Sequence, residues 1–242
     1  MSVEHEISIP LTEGHMPGWL SIPEGNGPWP GVVVIHEIFG VNDDMRRIAK
    51  HLADHGYVAL LPDLFAPLGR APLCVMRAIT AVTRGEGESF AHLEAARAWL
   101  AARPEVDPTR SAVMGFCLGG GFALLFAARA DVSAAAAFYG DVPKQASALS
   151  GICPVVGGFG ARDRVFGPGG NRLVSHLEEL GIEHDVKIYP DSGHSFMSNH
   201  EGALGWLGGV SPMHVGFDSE ASQDSWSRVF AFFDRHLKKS SI

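Results

Sequence analysis

Cys117 lies between two glycines in the segment Gly115-Phe-Cys-Leu-Gly119. An apolar run, residues 111–114, precedes this segment, and a stretch typical of a helix follows it. The order of strand, Gly-x-Cys-x-Gly and helix is the nucleophile-elbow pattern with cysteine in the place of serine. The glycines permit a sharp turn, and the N-terminus of the helix favours a thiolate over a thiol. The segment therefore predicts a nucleophilic cysteine; the alternative is a buried structural cysteine in a glycine-rich turn.

An acid and a base follow Cys117 in the order that such an elbow requires, which is nucleophile, acid, histidine. Asp163 ends a short loop after the apolar run 155–159, and His194 lies in a glycine-containing loop after residues 184–189. Because parallel strands place their sites at one edge of a sheet, we expect both side chains near Cys117. His194 would take the thiol proton, and Asp163 would orient the imidazole. Asp191 is an alternative acid, and each residue taken alone is compatible with a structural role.

Apolar runs and amphipathic stretches alternate along the rest of the chain. The predicted strands are residues 2–10 and 16–23, which form a hairpin, and residues 31–36, 57–61, 111–115, 132–138, 155–159 and 184–189. The predicted helices are residues 43–55, 73–82, 89–102, 118–129, 171–180 and 222–238. This alternation favours a mostly parallel central sheet with helices on both faces. We therefore predict one α/β domain over residues 1–242.

The composition argues against several classes of partner. The net charge is -8 and Lys and Arg form no cluster, which argues against nucleic acid. No stretch is long and apolar enough to span a bilayer, and the N-terminus is unlike a signal peptide, so we expect a cytoplasmic protein with no membrane partner. Three scattered cysteines argue against disulfides. His51 and His55 lack a third ligand at a suitable spacing, so we expect neither a metal nor another cofactor.

Several segments resemble the dienelactone hydrolase family, the carboxymethylenebutenolidases. They are Val32-Val-Val-Ile-His-Glu-Ile-Phe-Gly40, Pro62-Asp-Leu-Phe65, Gly115-Phe-Cys-Leu-Gly-Gly120, the strand leading to Asp163, and Gly193-His-Ser-Phe196, and they keep this order over nearly the whole chain. The resemblance implies an α/β-hydrolase fold. It also implies that Cys117, Asp163 and His194 form a catalytic triad.

The resemblance adds a fourth catalytic group and completes an oxyanion hole. The active-site glutamate of the family matches Glu37; it contacts the nucleophile at rest and helps to form the thiolate when substrate binds. Burying a carboxylate at the end of a strand costs free energy unless the carboxylate has a partner. Its presence at this position therefore favours a functional site. The N–H of Leu118 would point at an oxyanion from the elbow, and the resemblance implies that the N–H of Ile38 is the second donor.

The resemblance further implies a small-molecule substrate, an enol-lactone that is opened to a keto acid. Two arginines bind the substrate carboxylate in the family. Here Ser198 occupies the position of the second arginine, and the first falls in a variable segment in which Arg70, Arg77 and Arg84 are all available. Of these we expect Arg70 and Arg77 to contact substrate, together with Phe39 and Ser195, which adjoin the proposed catalytic groups. A carboxylesterase of different substrate range and a ligand-binding protein remain alternatives.

The glycine-rich segment 199–216 follows His194 closely. Its position predicts either a cover for the site or a surface loop. We expect the protein to be a monomer or a small homo-oligomer.

Overall fold

The computed structural model describes residues 2–69, 71–199 and 211–238. Eight strands in this part of the chain form one sheet. They are β1 (Val3–Pro10), β2 (His15–Ile22), β3 (Trp29–Ile35), β4 (Val58–Pro62), β5 (Val106–Phe116), β6 (Ala134–Phe138), β7 (Val155–Gly160) and β8 (His184–Tyr189). Their order across the sheet is β1-β2-β4-β3-β5-β6-β7-β8.

The strand pairing confirms a mostly parallel sheet. The hairpin β1–β2 is antiparallel, β2 pairs antiparallel with β4, and all other neighbours are parallel. Ile35 pairs with Gly115, and Phe116 pairs with Phe138, so β3, β5 and β6 end side by side. The loops that follow these three strands therefore meet at one edge of the sheet.

Helices cover both faces, as predicted. They are α1 (Asp43–Asp54), α2 (Leu73–Arg84), α3 (Glu88–Ala101), α4 (Leu118–Ala127), α5 (Pro168–Glu179) and α6 (Ser219–Leu237), with 3-10 turns at Ala66–Leu68 and Ala146–Leu149. Alternate residues of β3 enter two separate cores, because successive side chains of a strand point to opposite faces. Val33 joins the core under α2, α3, α4 and α5, whereas Val34 joins the core under α1 and α6.

Three elements begin at least three residues before their predicted positions, and one of them is helix α6, which begins at Ser219 behind the capping side chain of Asp218 rather than at residue 222. Strand β5 begins at Val106 rather than near residue 111, because Val106 pairs with Trp29 across an irregularity in the register. Helix α5 begins at Pro168 rather than at residue 171. Proline suits the first turn of a helix, because an N–H group at that position has no partner within the helix. Gly170 lets this turn approach Phe159 closely, since an added Cβ would lie 3.0 Å from that side chain.

A tight turn joins β5 to α4 and depends on two glycines. A Cβ at Gly115 would lie 1.9 Å from the carbonyl oxygen of Gly119. A Cβ at Gly119 would lie 2.3 Å from the carbonyl oxygen of Ile35. Both obstacles are backbone atoms, so relief would require movement of a strand or the helix. Glycine at these positions therefore allows α4 to begin directly against the ends of β3 and β5.

We predict that Gly119→Ala destabilises the protein by about 3 kcal/mol, because the new methyl group meets a backbone carbonyl that cannot yield. Urea unfolding monitored by circular dichroism measures this change. Gly216→Ala is the matched control, since an added Cβ there meets no atom of the described residues within 4 Å. Equal midpoints for the two variants would show that the close approach does not limit stability.

Candidate active site

Cys117 occupies the tip of the turn between β5 and α4. Its backbone lies in the left-handed region, with φ 54° and ψ -118°. Non-glycine residues adopt such a conformation at a cost of about 1–3 kcal/mol, and examples cluster at functional sites. The residue is half-buried and directly precedes the first residue of α4. Cys117 is thus held at the positive end of the helix dipole.

The structure brings Asp163 and His194 together. Nδ1 of His194 lies 2.6 Å from Oδ2 of Asp163, and both residues are at most 3 % exposed. The other oxygen of Asp163 accepts hydrogen bonds from the backbone N–H groups of Val165 and Phe166. Both carboxylate oxygens are therefore occupied, which fixes the direction of the imidazole. The alternative acid, Asp191, is exposed.

The imidazole of His194 favours its charged form. Burial opposes the charge, but the hydrogen bond that His194 donates to Asp163, together with the hydrogen bond and charge of Cys117, outweighs burial and raises the pKa of His194 to about 10. The rings of Tyr139 and Phe166 pack against the imidazole with centroid distances of 5.2 and 5.0 Å. Cys117 thus adjoins a base that holds its proton firmly.

Glu37 lies immediately after β3 and is fully buried. Its Oε1 accepts hydrogen bonds from Ser198 Oγ at 2.9 Å and from Ser195 Oγ at 3.1 Å. His36 supports the same turn: its Nδ1 lies 2.8 Å from the carbonyl oxygen of Glu37, and its Nε2 accepts from the N–H of Leu64. These bonds fit a neutral imidazole protonated on Nδ1, and burial lowers the pKa of His36.

The two predicted oxyanion donors lie on the turns that flank this edge. Ile38 is within the turn that closes with a hydrogen bond from the N–H of Gly40 to the carbonyl of Glu37. Leu118 begins α4, where N–H groups have no partner within the helix. Neither N–H donates to another residue in the described part of the chain, and both residues are half-buried. Both N–H groups are available to a bound oxygen.

The four residues expected to contact substrate have different surroundings. Phe39 is 53 % exposed, whereas Ser195 is buried and donates to Glu37. Arg77 lies on α2 and donates to the carbonyl of Leu68, in a groove lined by α2 and the start of α3. Arg70 lies outside the described residues. The residues that line the groove beside Arg77 include no member of the predicted triad.

The described part of segment 199–216 packs against the His194 loop. The N–H of His194 donates to the carbonyl of Met213, and the N–H of Gly216 donates to the carbonyl of His194. A Cβ at Gly193 would lie 1.8 Å from the carbonyl oxygen of His214. This part of the segment therefore supports the loop of the base. Residues 200–210 lie outside the described residues, so the prediction of a cover stays a prediction.

Sequence reasoning did not assign a role to Tyr139 or Ser198. Tyr139 follows β6 directly, with φ 41°, and its hydroxyl lies 3.1 Å from Ser198 Oγ. Its place after a buried strand, at the same edge as Cys117, is a signal that the sequence contained. Ser198 was singled out only because it replaces an arginine. The structure shows instead that it binds Glu37.

The two histidines considered for zinc take part in a side-chain cluster. His51 and His55 lie 4.5 Å from each other, and they pack against Trp226 and Phe230 of α6. Burial, together with the neighbouring His55 and Arg47, lowers the pKa of His51 to about 4. Among residues 2–69, 71–199 and 211–238, no group of three or more metal-binding side chains is found. In the same ranges no helix is long and apolar enough to cross a membrane.

Comparison with known proteins gives consistent matches. The sequence profile described as the dienelactone hydrolase family matches residues 16–237. A protein of Methylorubrum extorquens, provisionally named carboxymethylenebutenolidase, is 27 % identical over 247 residues, which cover 96 % of this chain and 80 % of the relative. An Escherichia coli K12 protein with the same provisional name is 27 % identical over 254 residues, with coverage of 97 % and 88 %.

A solved structure is similar over almost its whole length. It is a dienelactone hydrolase-like promiscuous phosphotriesterase from metagenomic libraries, with a TM-score of 0.82 and 26 % sequence identity. The match covers 98 % of this chain and 99 % of that one.

We predict that Asp163→Asn lowers the pKa of His194 from about 10. Burial lowers this pKa, and the variant removes the negative charge of Asp163, which raises it. A histidine with a raised folded-state pKa contributes stability that is present below its unfolded value of 6.5 and is lost as the pH rises through about 10. The variant should therefore lose stability most at pH 6.5 and below. Titration of the imidazole by NMR and urea unfolding between pH 6 and 10 measure both effects.

Asp191→Asn serves as the control for this prediction. Asp191 is exposed on the same loop as His194, so its replacement should leave the pKa of His194 unchanged. A larger shift of the His194 pKa in Asp191→Asn than in Asp163→Asn would contradict the prediction, because it would identify Asp191 as the acid that acts on the imidazole.

Proposed function

The chain belongs to the dienelactone hydrolase family, and we propose that it hydrolyses a lactone or activated ester with Cys117 as the nucleophile, His194 as the acid and base, and Asp163 as the orienting carboxylate. Members of this family are hydrolases of lactone and ester bonds, and the chain has their α/β-hydrolase fold. The observation that carries the proposal is the 2.6 Å contact between Asp163 and His194 beside a cysteine in a strained turn.

The first half of the reaction forms a thioester. The thiolate of Cys117 attacks the carbonyl carbon, and the N–H groups of Ile38 and Leu118 bind the oxygen as it becomes negative. Collapse of this intermediate breaks the bond to the ring or ester oxygen. His194 gives its proton to that leaving oxygen, which departs as an enol or alcohol.

The second half releases the acid. His194, now neutral, takes a proton from water while that water attacks the thioester carbon. The bond to sulfur then breaks, and the product leaves as a carboxylic acid. Because the sulfur departs as a thiolate and the imidazole keeps the proton taken from water, the protein returns to the charge state in which it attacked the substrate, without a cofactor.

Glu37 is proposed to assist the nucleophile. Its carboxylate is buried at the same edge of the sheet as Cys117, next to the turn that carries Ile38. The resemblance to the family gives this position a role in forming the thiolate when substrate binds. Two hydroxyl donors fix the direction of this carboxylate, as that role requires.

The proposed substrate is an enol-lactone that opens to a keto acid, in line with the names of the relatives from Methylorubrum extorquens and Escherichia coli. Ser198, in the position of a carboxylate-binding arginine, donates to Glu37 instead. A neutral lactone or ester therefore belongs in the substrate panel beside a carboxylate-bearing lactone. We propose that the protein acts in the cytoplasm as a monomer or small homo-oligomer.

We predict that Cys117→Ala lowers kcat/KM for enol-lactone and aryl-ester hydrolysis by about 10⁴-fold or more, the order seen when a nucleophile is removed. In the unchanged protein, mass spectrometry of a quenched reaction should find the acyl group on Cys117. Spectrophotometric assays of both substrate types, with and without a carboxylate, measure the loss.

Cys153→Ala is the control for Cys117→Ala. Burial raises the pKa of Cys153 to about 12, so this cysteine stays a thiol, and its loss should leave turnover unchanged. Turnover by Cys117→Ala at the rate of the unchanged protein would refute thiol catalysis.

A further inference from the structure

We infer that Ser198 is a positioning residue, and that with Tyr139 it forms a directed hydroxyl relay that holds the carboxylate of Glu37 in its working orientation. The inference rests on the proposed roles of Cys117 and Glu37, and it adds two residues that act through Glu37 rather than on the substrate. It follows from hydrogen-bond distances, from burial and from the number of protons available.

The direction of the relay follows from a count of donors. A serine or tyrosine hydroxyl has one proton to donate, and a carboxylate only accepts. Ser198 donates its proton to Glu37 Oε1 at 2.9 Å. Ser198 Oγ has no second proton for the hydroxyl of Tyr139, which lies 3.1 Å away, and can only accept from it. Tyr139 must therefore be the donor. The order is therefore Tyr139 to Ser198 to Glu37, and each bond polarises the next toward the carboxylate.

The relay is enclosed and rigid. Tyr139, Ser198 and Glu37 are each 0 % exposed, so water does not replace a lost partner. A hydrogen bond of 2.9 Å from the N–H of Ser198 to the carbonyl of Ser195 closes the turn that carries both serine donors. Tyr139 and Ser195 have positive φ angles of 41° and 56°, a strained backbone that surrounding contacts must hold.

The tyrosine is suited to act as the permanent donor. Burial and the nearby charge of Glu37 raise the pKa of Tyr139 well above its ordinary value. The phenol therefore keeps its proton throughout the pH range in which an ester assay is practical. A neutral donor of this kind directs the carboxylate without forming an ion pair with it.

Loss of the central hydroxyl should lower turnover more than substrate binding. In Ser198→Ala, Tyr139 loses its acceptor and Glu37 keeps Ser195 as its serine donor. We expect kcat to fall about tenfold, with KM within about twofold of that of the unchanged protein, because a hydrogen bond to a charged group is lost while the substrate contacts remain. Ser198→Thr keeps the hydroxyl and should restore most of the turnover.

A double-mutant cycle tests the order of the relay. Tyr139→Phe alone should lower kcat, by less than Ser198→Ala does, because the serine still reaches Glu37. In the Ser198→Ala background the same change should have no further effect, since the tyrosine then has no path to the carboxylate. Additive losses in kcat would overturn the relay.

The chain contains a matched control. Ser225 donates to Tyr189 at 2.7 Å, and Tyr189 donates to Asp224 at 2.8 Å, which forms a second serine, tyrosine and carboxylate chain between β8 and α6. Ser225 is 1 % exposed, so Ser225→Ala should cost similar stability but leave kcat and KM unchanged. Equal losses of kcat in Ser225→Ala and Ser198→Ala would assign Ser198 a merely structural role and refute the inference.

The outcome separates the relay from the proposed function when Cys117→Ala is measured in the same assay. If Cys117→Ala is inactive and Ser198→Ala keeps the kcat of the unchanged protein, the relay fails and thiol catalysis stands. If Cys117→Ala is active, thiol catalysis fails and the relay fails with it.

Discussion

The close approach of three backbones at the start of α4 determines the geometry of the site. Gly119 allows the first turn of α4 to touch the carbonyl of Ile35, the last residue of β3. Two turns that are distant in sequence are thereby held together: one carries Cys117 and Leu118, and the other carries Glu37 and Ile38. The proposed nucleophile, a neighbouring carboxylate and two N–H groups share one edge because no side chain separates the helix from the strand.

The same edge concentrates features that a stable fold normally avoids. Three non-glycine residues, Cys117, Tyr139 and Ser195, have left-handed backbones, at a cost of about 1–3 kcal/mol each. Two carboxylates, Glu37 and Asp163, are withdrawn from water. Local hydrogen bonds offset the cost of burying these carboxylates. Glu37 accepts from serine hydroxyls, and Asp163 accepts from N–H groups and an imidazole. Packing in the two hydrophobic cores must offset the remaining cost in free energy of folding.

The sequence was sufficient to predict the sheet and most of its helices, because buried parallel strands read as continuous apolar runs such as residues 31–35. It also predicted that Asp163 and His194 would meet, since strand ends fix the loops that follow them. Two boundaries were missed where packing outweighed local preference: β5 extends to Val106 through pairing with Trp29, and α5 includes a Pro-Gly-Gly run.

The partners of Glu37 were beyond the reach of sequence reasoning for a different reason. Ser198 and Tyr139 are 59 residues apart, and nothing in their spacing indicates that their hydroxyls meet. Their distance depends on the turn from Ser195 to Ser198 and on the strained backbone at Tyr139. Tertiary packing, rather than any local pattern, brings them together.

Hydroxyl donors and a guanidinium hold a carboxylate in different ways. A guanidinium offers two parallel charge-assisted bonds from one side chain, whereas Ser195 and Ser198 each donate a single proton to Oε1 of Glu37. The hydroxyl of Ser198 also meets that of Tyr139, so its direction depends on a residue that follows another strand. The orientation of Glu37 thus depends on two separate loops, the turn after His194 and the end of β6, rather than on one side chain.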